Sequence, residues 1–476
     1  MHIPETGRSR EEIMQALEAY KAGDLPWKSG RVMAYVYDPG REVYDTARDA
    51  YMMFLSESGL DPTTFPSAMR LEREVVRMII NLVRGDEEVV GNMTSGGTES
   101  ILLAMKTARD WARATRPEIT APEMILPRTA HPSFHKACVY FGIKPVIVGF
   151  DPVTFHADVK AMEAAINENT IILVGSAPGY AQGVVDPIED IAALAEKHAL
   201  WCHVDGCVGG IHLSFMRKMG YDTPPFDFSI PGVTTISADM HKFGYAPKNA
   251  SIIMYRNKEL RKHQFFACIQ TTTYALINPT VMSTKTAGPM AGSWATLNML
   301  GESGYQKIVR EVQEATDRLV AGVNAIEGLR VLGKPDMCLF SFTSDEINLF
   351  QVADQMHRRG WYIQPQFSTE LSPYNLHITV NHSSVNLTEA LLDDLRASVD
   401  MVRNSTDQIP IATVREQVNA LLAANPENAT ETILAMGGIS GTELPESMAM
   451  INTVLECLPD PLAEDLLIGY LNDLFQ

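Results

Sequence analysis

From about residue 71 onward, short apolar runs alternate with amphipathic runs of ten or more residues, and this alternation limits the fold more than any other feature. LEREVVRMIINLVRG leads into the glycine-rich turn TSGGTES and the helical run ESILLAMKTARDWARA. EMILPRT, KPVIVGF, TIILVGSA and LWCHVDG then read as strands, separated by the helical runs SFHKACVYFG, VKAMEAAINE and IEDIAALAEKHA. VTTISADMHK and SIIMYRN extend the series as strands. Continuous apolar strands are buried on both faces, and strands that recur after helices run parallel. The expected class is α/β, with a large, mostly parallel sheet covered by helices.

Residues 1–70 have a different texture. EEIMQALEAYKAG and YDTARDAYMMFLSESG are helical, and the stretch between them is rich in Tyr, Pro and Gly. They offer little core of their own, so they are expected to form an arm that packs on another domain or subunit. Residues 71–315 are assigned to the large domain. Residues 316–476 are assigned to a smaller α+β domain with a leucine-rich helical tail from about 405.

A net charge of −19 argues against nucleic acid or an anionic membrane as the main partner. No run approaches the ~20 apolar residues of a membrane span. The six cysteines form no regular framework, and MHIPETGRSREE carries no signal pattern. A cytoplasmic enzyme with reduced thiols is expected.

The chemistry-bearing residues fall at strand and helix ends. In SADMHKFGYAPK, His241 and Lys242 follow a strand. A lysine there is a surface group unless it is paired or working, and a desolvated amine can form an imine with an aldehyde cofactor. Asp205, in HVDGCVGG, ends another strand and can hold a pyridine nitrogen protonated; alone it could equally begin a loop. In TSGGTES, Ser95, Gly96, Gly97 and Thr98 precede a long helix, whose N-terminal N–H groups with a hydroxyl suit a phosphate. This is neither a Walker loop nor GxGxxG. In RTAHPSFHKA, His131 can lie over a planar ring. His131 and His135 also have zinc spacing, but no HExxH glutamate or second cluster accompanies them, and Pro132 keeps His131 out of a helix interior, so no metal is expected. The four elements agree on one site, because ligands of parallel α/β sheets bind at the carboxyl ends of strands.

These motifs resemble the fold-type I, group II decarboxylase superfamily dependent on pyridoxal 5'-phosphate, and within it the sphingosine-1-phosphate lyase branch. The likeness runs from about residue 25 to 400. It is densest in FPSAMRLEREVV, TSGGTESILLAMK, RTAHPSFHKA, VGSAPGYAQGVVDPIEDIAALA, HVDGCVGG, SADMHKFGYAPKNASIIMYRN and the AGS of 291–293. The resemblance implies a seven-stranded sheet domain, Lys242 as the Schiff-base lysine, His131 on the ring and Asp205 on the pyridine nitrogen. It further implies Gly97, Thr98 and His241 at the cofactor phosphate, with Gly292 and Ser293 supplied by the second subunit of a homodimer that shares its active sites. Tyr37 matches a mobile active-site tyrosine, with Tyr35 the other match, and Lys248 matches a lysine near the substrate's phosphate.

One departure bears on the substrate. Where the lyases carry Asn and His in N-x-L-H, this chain has Ser58 and Asp61. An Asp beside a phosphate dianion would cost about 4 kcal/mol per unit charge at ~4 Å. Either the substrate lacks that phosphate, or Asp61 points elsewhere, or the register of the match is shifted here. Gly206 also replaces the usual Ala after the Asp. The expected reaction is retro-aldol cleavage of a 2-amino-3-hydroxy substrate, phosphorylated or not, an amine or amino-alcohol, to an aldehyde and an amine, with Lys242 or Tyr37 taking the hydroxyl proton. Amino-acid decarboxylation is the alternative.

Overall fold

The computed structural model describes residues 2–61, 63–272, 274–424, 433, 436 and 445–475. Three helices precede the large sheet: α1 (Arg10–Lys21), α2 (Arg41–Met53) and α3 (Pro66–Leu82). A capping box opens α1, where the Glu12 N–H donates to Ser9 Oγ and the Ser9 N–H to the Glu12 carboxylate. No residue of α1 is buried, so it adds nothing to the core of its own chain. Proline at the first position of α3 suits a site whose N–H has no helical partner.

Seven strands form the main sheet: β1 (Val90–Thr94), β2 (Glu123–Pro127), β3 (Lys144–Val148), β4 (Thr170–Ser176), β5 (Trp201–Asp205), β6 (Thr235–Ala238) and β7 (Ser251–Tyr255). Their order is β1-β7-β6-β5-β4-β2-β3. All the ladders among β2 to β6 are parallel, and only β7 runs against its neighbours. The mostly parallel sheet read from the sequence is therefore present. Helices α4 (Gly97–Thr115), α5 (Ser133–Phe141), α6 (Val159–Ala165), α7 (Ile188–Lys197) and α8 (Gly209–Lys218) connect the strands. Alternate side chains leave the sheet on opposite faces. Leu173, Val204 and Ile236 join one core, while Ile172, Val174 and Ile253 join the other. That two-sided burial is why β4 reads as an unbroken apolar run.

β1 is absent from the sequence reading, because Gly91 and Asn92 blur its pattern. It forms by pairing along its whole length with β7, from Val90 opposite Tyr255 to Thr94 opposite Ser251. Gly91 is required there, since a Cβ would stand 2.7 Å from the Ile253 carbonyl oxygen.

After β7 come α9 (Lys258–Arg261), an unforeseen hairpin of β8 (Phe266–Cys268) and β9 (Leu276–Asn278), and the long α10 (Gly288–Asn324). α10 bends at Gly301, whose φ of 56° interrupts the helix. The expected division at 315 falls inside this helix. A second, antiparallel sheet follows, of β10 (Arg330–Val331), β11 (Leu339–Thr343), β12 (Gln364–Gln366) and β13 (Asn375–Thr379), in the order β10-β11-β13-β12. α11 (Leu349–Arg358) packs beside it, and α12 (Thr388–Arg403) packs on α10 and α11. The tail holds α13 (Ile411–Ala424), α14 (Ala449–Cys457) and α15 (Asp460–Leu474), gathered on Val414, Val418 and Val454. Of the tail expected to be helical from about 405, residues 425–432, 434–435, 437–444 and 476 lie outside the described residues. No helix among the described residues is long and apolar enough to cross a membrane.

Candidate active site

The carboxyl ends of β1, β2, β4, β5 and β6 open onto one cavity of about 370 Å3. Gly97, Thr98, His131, Asp205, His241 and Lys242 all line it, so the structure gathers the four sequence elements in one place.

The phosphate-cradle candidate is the start of α4. A Cβ on Gly97 would lie 2.7 Å from Asp239 Oδ2 and 3.0 Å from Cys207 Sγ, so only glycine allows the helix to begin against them. The Ser95 N–H donates to Glu99 Oε2 at 2.6 Å, and the other oxygen of Glu99 accepts from the Val281 N–H at 2.8 Å. This buried carboxylate fixes the loop and ties it to the segment beyond the hairpin.

His131 is held by its neighbours two residues on. Ser133 donates its N–H to His131 Nδ1 at 3.2 Å, and the Ser133 hydroxyl lies 3.0 Å from the same nitrogen and 2.9 Å from Thr98 Oγ1. Desolvation lowers the His131 pKa, with Asp205 opposing it, so the ring is neutral at pH 7. Asp205 sits at the end of β5, where Oδ1 accepts from the Cys207 N–H at 3.0 Å and from the Ser237 hydroxyl at 3.3 Å.

Lys242 Nζ stands 2.9 Å from Asp239 Oδ2. Burial alone would depress the amine. Burial is the largest single influence, but the Asp239 carboxylate together with Cys207, Tyr37 and Asp205 outweighs it, and Lys242 is held above its ordinary pKa. Asp239 also lines the cavity but was not among the sequence candidates. Its signal was present in SADMHK, as an acid three residues before the lysine. His241 Nδ1 accepts from the Ala250 N–H at 3.3 Å, and burial lowers its pKa.

Tyr37 and Lys248 lie in an adjoining aromatic pocket of about 770 Å3 that shares His241 with the cavity. Tyr37 meets Phe243 edge to face at 5.1 Å, and Lys248 Nζ lies 5.2 Å from the Tyr37 ring centroid while donating to the Tyr35 carbonyl oxygen at 3.1 Å. Burial pushes the Tyr37 phenol up to about 12, and burial lowers Lys248. A phenol held that high keeps its proton at neutral pH. Tyr35 has a φ of 63° and its hydroxyl accepts from Gln364 Nε2, while Tyr180, on the cavity wall, donates to Gln364 Oε1 at 2.9 Å. Tyr180 and Gln364 also escaped sequence reasoning, because nothing local links β12 to residue 35.

Four expected residues lie away from the cavity. Asp61 is exposed, and its Oδ1 accepts from the Thr63 N–H at 2.8 Å and from the Thr63 hydroxyl, contacts that hold its pKa below the usual carboxylate value. It caps its own turn. Ser58 bridges to Thr286, outside the cavity lining. Ser293 is fully buried within its own chain and its hydroxyl donates to the Pro289 carbonyl oxygen, while Gly292 packs on Pro247. Both are enclosed within the single chain. The exposed stretch from Val281 to Thr284 lies just before them.

The residues present fit pyridoxal phosphate. A glycine-opened helix N-terminus, a neutral histidine, a carboxylate at a strand end and a buried lysine converge on one cavity. Among the described residues no group of three or more His, Cys, Asp or Glu is placed to hold a metal ion.

Comparison with known proteins agrees with this geometry. Residues 427–473 match a C-terminal HTH domain of pyridoxal-dependent enzymes. The sphingosine-1-phosphate lyase of Oryza sativa subsp. japonica is 42% identical over 411 residues, which cover 84% of this chain and 74% of that protein. A probable L-aspartate decarboxylase of Pyrococcus furiosus is 32% identical over 363 residues, 76% of this chain and 95% of that protein. The solved sphingosine-1-phosphate lyase of Burkholderia pseudomallei superimposes with a TM-score of 0.81 at 36% identity, covering 89% of this chain and 96% of that one. The cofactor is pyridoxal phosphate. Residues 4–344 match the pyridoxal-dependent decarboxylase conserved domain, and the chain belongs to that family.

Proposed function

We propose that this chain is a pyridoxal-phosphate-dependent carbon–carbon lyase resembling sphingosine-1-phosphate lyase, cleaving a phosphorylated 2-amino-3-hydroxy substrate to an aldehyde and an amine. The observation that carries this reading is the 42% identity to the rice lyase across 84% of the chain. Pyridoxal phosphate, when bound, supplies an electron sink for the pair released at the substrate's Cα. In this reading Lys242 carries the cofactor, and Gly97, Thr98 and His241 hold its phosphate. Asp205 faces the pyridine nitrogen and His131 lies on the ring. Tyr37, keeping its proton, donates a hydrogen bond to the substrate. Lys248, anchored on the Tyr35 carbonyl oxygen, is the cation for the substrate's own phosphate. Asp61, engaged with Thr63 and outside the cavity lining, supports a phosphorylated substrate in this reading.

A second reading, amino-acid decarboxylation, is favoured by the 32% identity to the Pyrococcus protein. The two part on product. Incubation with phosphorylated long-chain bases and with an amino-acid panel is expected to release aldehyde from the former; carbon dioxide without aldehyde would transfer the reading to decarboxylation. Borohydride is expected to fix the cofactor on the peptide containing Lys242, and labelling of another lysine would remove Lys242 from its role.

We further propose that two copies associate. Exposed apolar groups gather around the hairpin, with Ile277 65% and Met282 62% exposed, and α1 buries nothing in its own chain. Glu99 ties this segment to the cradle loop, so a second copy seated on the hairpin would lie beside the cavity. The unpaired state of all six cysteines supports a cytoplasmic setting.

A further inference from the structure

Asp239 begins the turn that follows β6. Its N–H donates to the Cys207 carbonyl oxygen at 3.2 Å, and the Lys242 N–H returns to the Asp239 carbonyl oxygen at 3.4 Å. The three-residue separation between acid and lysine is therefore fixed by the backbone. The Asp239 side chain is 1% exposed and the Lys242 side chain 21%. Their oxygen and nitrogen stand 2.9 Å apart, and the next cation-capable atom, His241 Nε2, is 3.7 Å from the same oxygen. Gly97 leaves room for the carboxylate under the first turn of α4, where a Cβ would fall 2.7 Å and 2.9 Å from its two oxygens. A carboxylate so buried is costly without a cation, and Lys242 is the nearer of its two possible partners and the one that carries a full charge at neutral pH.

We propose that Asp239 is a positioning residue: its carboxylate docks the Lys242 ammonium whenever that amine is not engaged with the cofactor, and so sets the pH above which Lys242 can capture an aldehyde. Capture needs the neutral amine, which adds to the carbonyl carbon as water leaves; the ammonium proton passes first to solvent. Among the described groups, Lys242 is faced by Asp239, Cys207, Tyr37 and Asp205, which favour its charged form, and by His131, His241 and Lys248. His131 and His241 have lowered pKa values and are neutral in the alkaline range where a lysine titrates, so Asp239 is the dominant neighbour. The proposal rests on Lys242 as the cofactor lysine, and it extends that reading to the state before the cofactor arrives.

The experiment uses the full chain freed of cofactor, labelled with formaldehyde and cyanoborohydride across about pH 6–10 and read by peptide mass spectrometry. Lys248, lowered by burial, serves as an internal reference. In the unaltered chain Lys242 is expected to label at a higher pH than Lys248. Asp239→Asn should move the Lys242 profile down by about 1–3 pH units, leaving the order of the two lysines reversed or merged, and Asp239→Glu should restore it. Labelling of Lys242 at or below the pH of Lys248 in the unaltered chain would overturn the proposal, as would coincident profiles for Asp239→Asn and the parent. Should Asp239→Asn fail to fold, the comparison of Lys242 with Lys248 decides alone. Neither arm uses substrate or pyridoxal phosphate. Trapping of the cofactor on another lysine would therefore end the assigned role of Lys242 while leaving the ion pair measured.

Discussion

The backbone N–H of Ser133 donates to His131 Nδ1 at 3.2 Å, which leaves the proton of the neutral ring on Nε2. An amide N–H can only donate, so Nδ1 must be the lone-pair nitrogen. The Ser133 hydroxyl then links this ring to Thr98 and hence to the start of α4. Nitrogen-15 spectra of the histidines should show His131 as the Nε2–H tautomer at pH 7. Since burial lowers its pKa, protonation should set in below the ordinary histidine value. A protonated His131 at pH 7, or the Nδ1–H tautomer, would contradict this geometry.

Acid should destabilise the fold before it reaches the ordinary carboxylates. His203 and His377 are fully enclosed, and burial depresses each from the ordinary histidine value to about 4. His212 is depressed further, to about 3. The unfolded chain takes up protons near pH 6.5 while the folded chain does not, so stability is present above that value and is lost as pH falls toward the folded values. By pH 5 each of these histidines contributes a loss of about 2 kcal/mol. Asp186 works the other way, because burial raises it to about 6 and its folded form binds a proton early. Three groups outweigh one, and denaturant midpoints should fall between pH 7 and pH 5. An unchanged midpoint would show that these rings are not sealed from water.

Gly97→Ala tests the cradle. The added methyl would stand within 3.0 Å of both Asp239 oxygens and of Cys207 Sγ, so either α4 shifts outward or the carboxylate leaves its place beside Lys242. Each outcome spoils the site. Affinity for pyridoxal phosphate, followed by equilibrium dialysis, should drop by about tenfold or more, the weight of one lost charge-assisted contact. Far-ultraviolet circular dichroism should stay close to that of the parent. Undiminished affinity would mean that the phosphate is held elsewhere.

Much of this site could be read from strand ends alone. β5 ends in Asp205 and the turn after β6 holds Lys242, and both apolar runs are unmistakable because the sheet is buried on two sides. β1 escaped because its pairing with β7 is a long-range event that a five-residue run with Gly91 and Asn92 does not announce. The hairpin of β8 and β9 escaped for a related reason. Its apolar groups point outward, so it lacks the alternation that a core imposes. A motif gives register but not direction, so it does not announce that the Ser293 hydroxyl turns back to the Pro289 carbonyl oxygen or that the Asp61 carboxylate engages Thr63. Asp61→Ala should accordingly leave turnover within about twofold, as for a surface residue remote from the chemistry. A large loss would return Asp61 to the substrate's vicinity.

The tail is attached through a cap that its own sequence does not supply. Met448, at the N-cap of α14, provides no side-chain acceptor. Asp354, on α11, does so instead: one oxygen accepts from the Met448 N–H at 3.1 Å and the other from the Ala449 N–H at 3.0 Å and the Ser447 hydroxyl. A carboxylate at a helix N-terminus satisfies free amides and meets the positive end of the helix dipole. Asp354→Ala should therefore cost about 1 kcal/mol locally, a cap's usual worth. Amide exchange at Met448, Ala449 and Ile451 should quicken by about five- to tenfold. The cavity lies at the carboxyl ends of the other sheet's strands, so cofactor loading of this variant should match the parent. Exchange left unchanged would mean that α14 is held by its apolar contacts around Val454 rather than by the cap. A loss of loading, by contrast, would reveal a coupling between tail and site that runs through α11 and the small sheet.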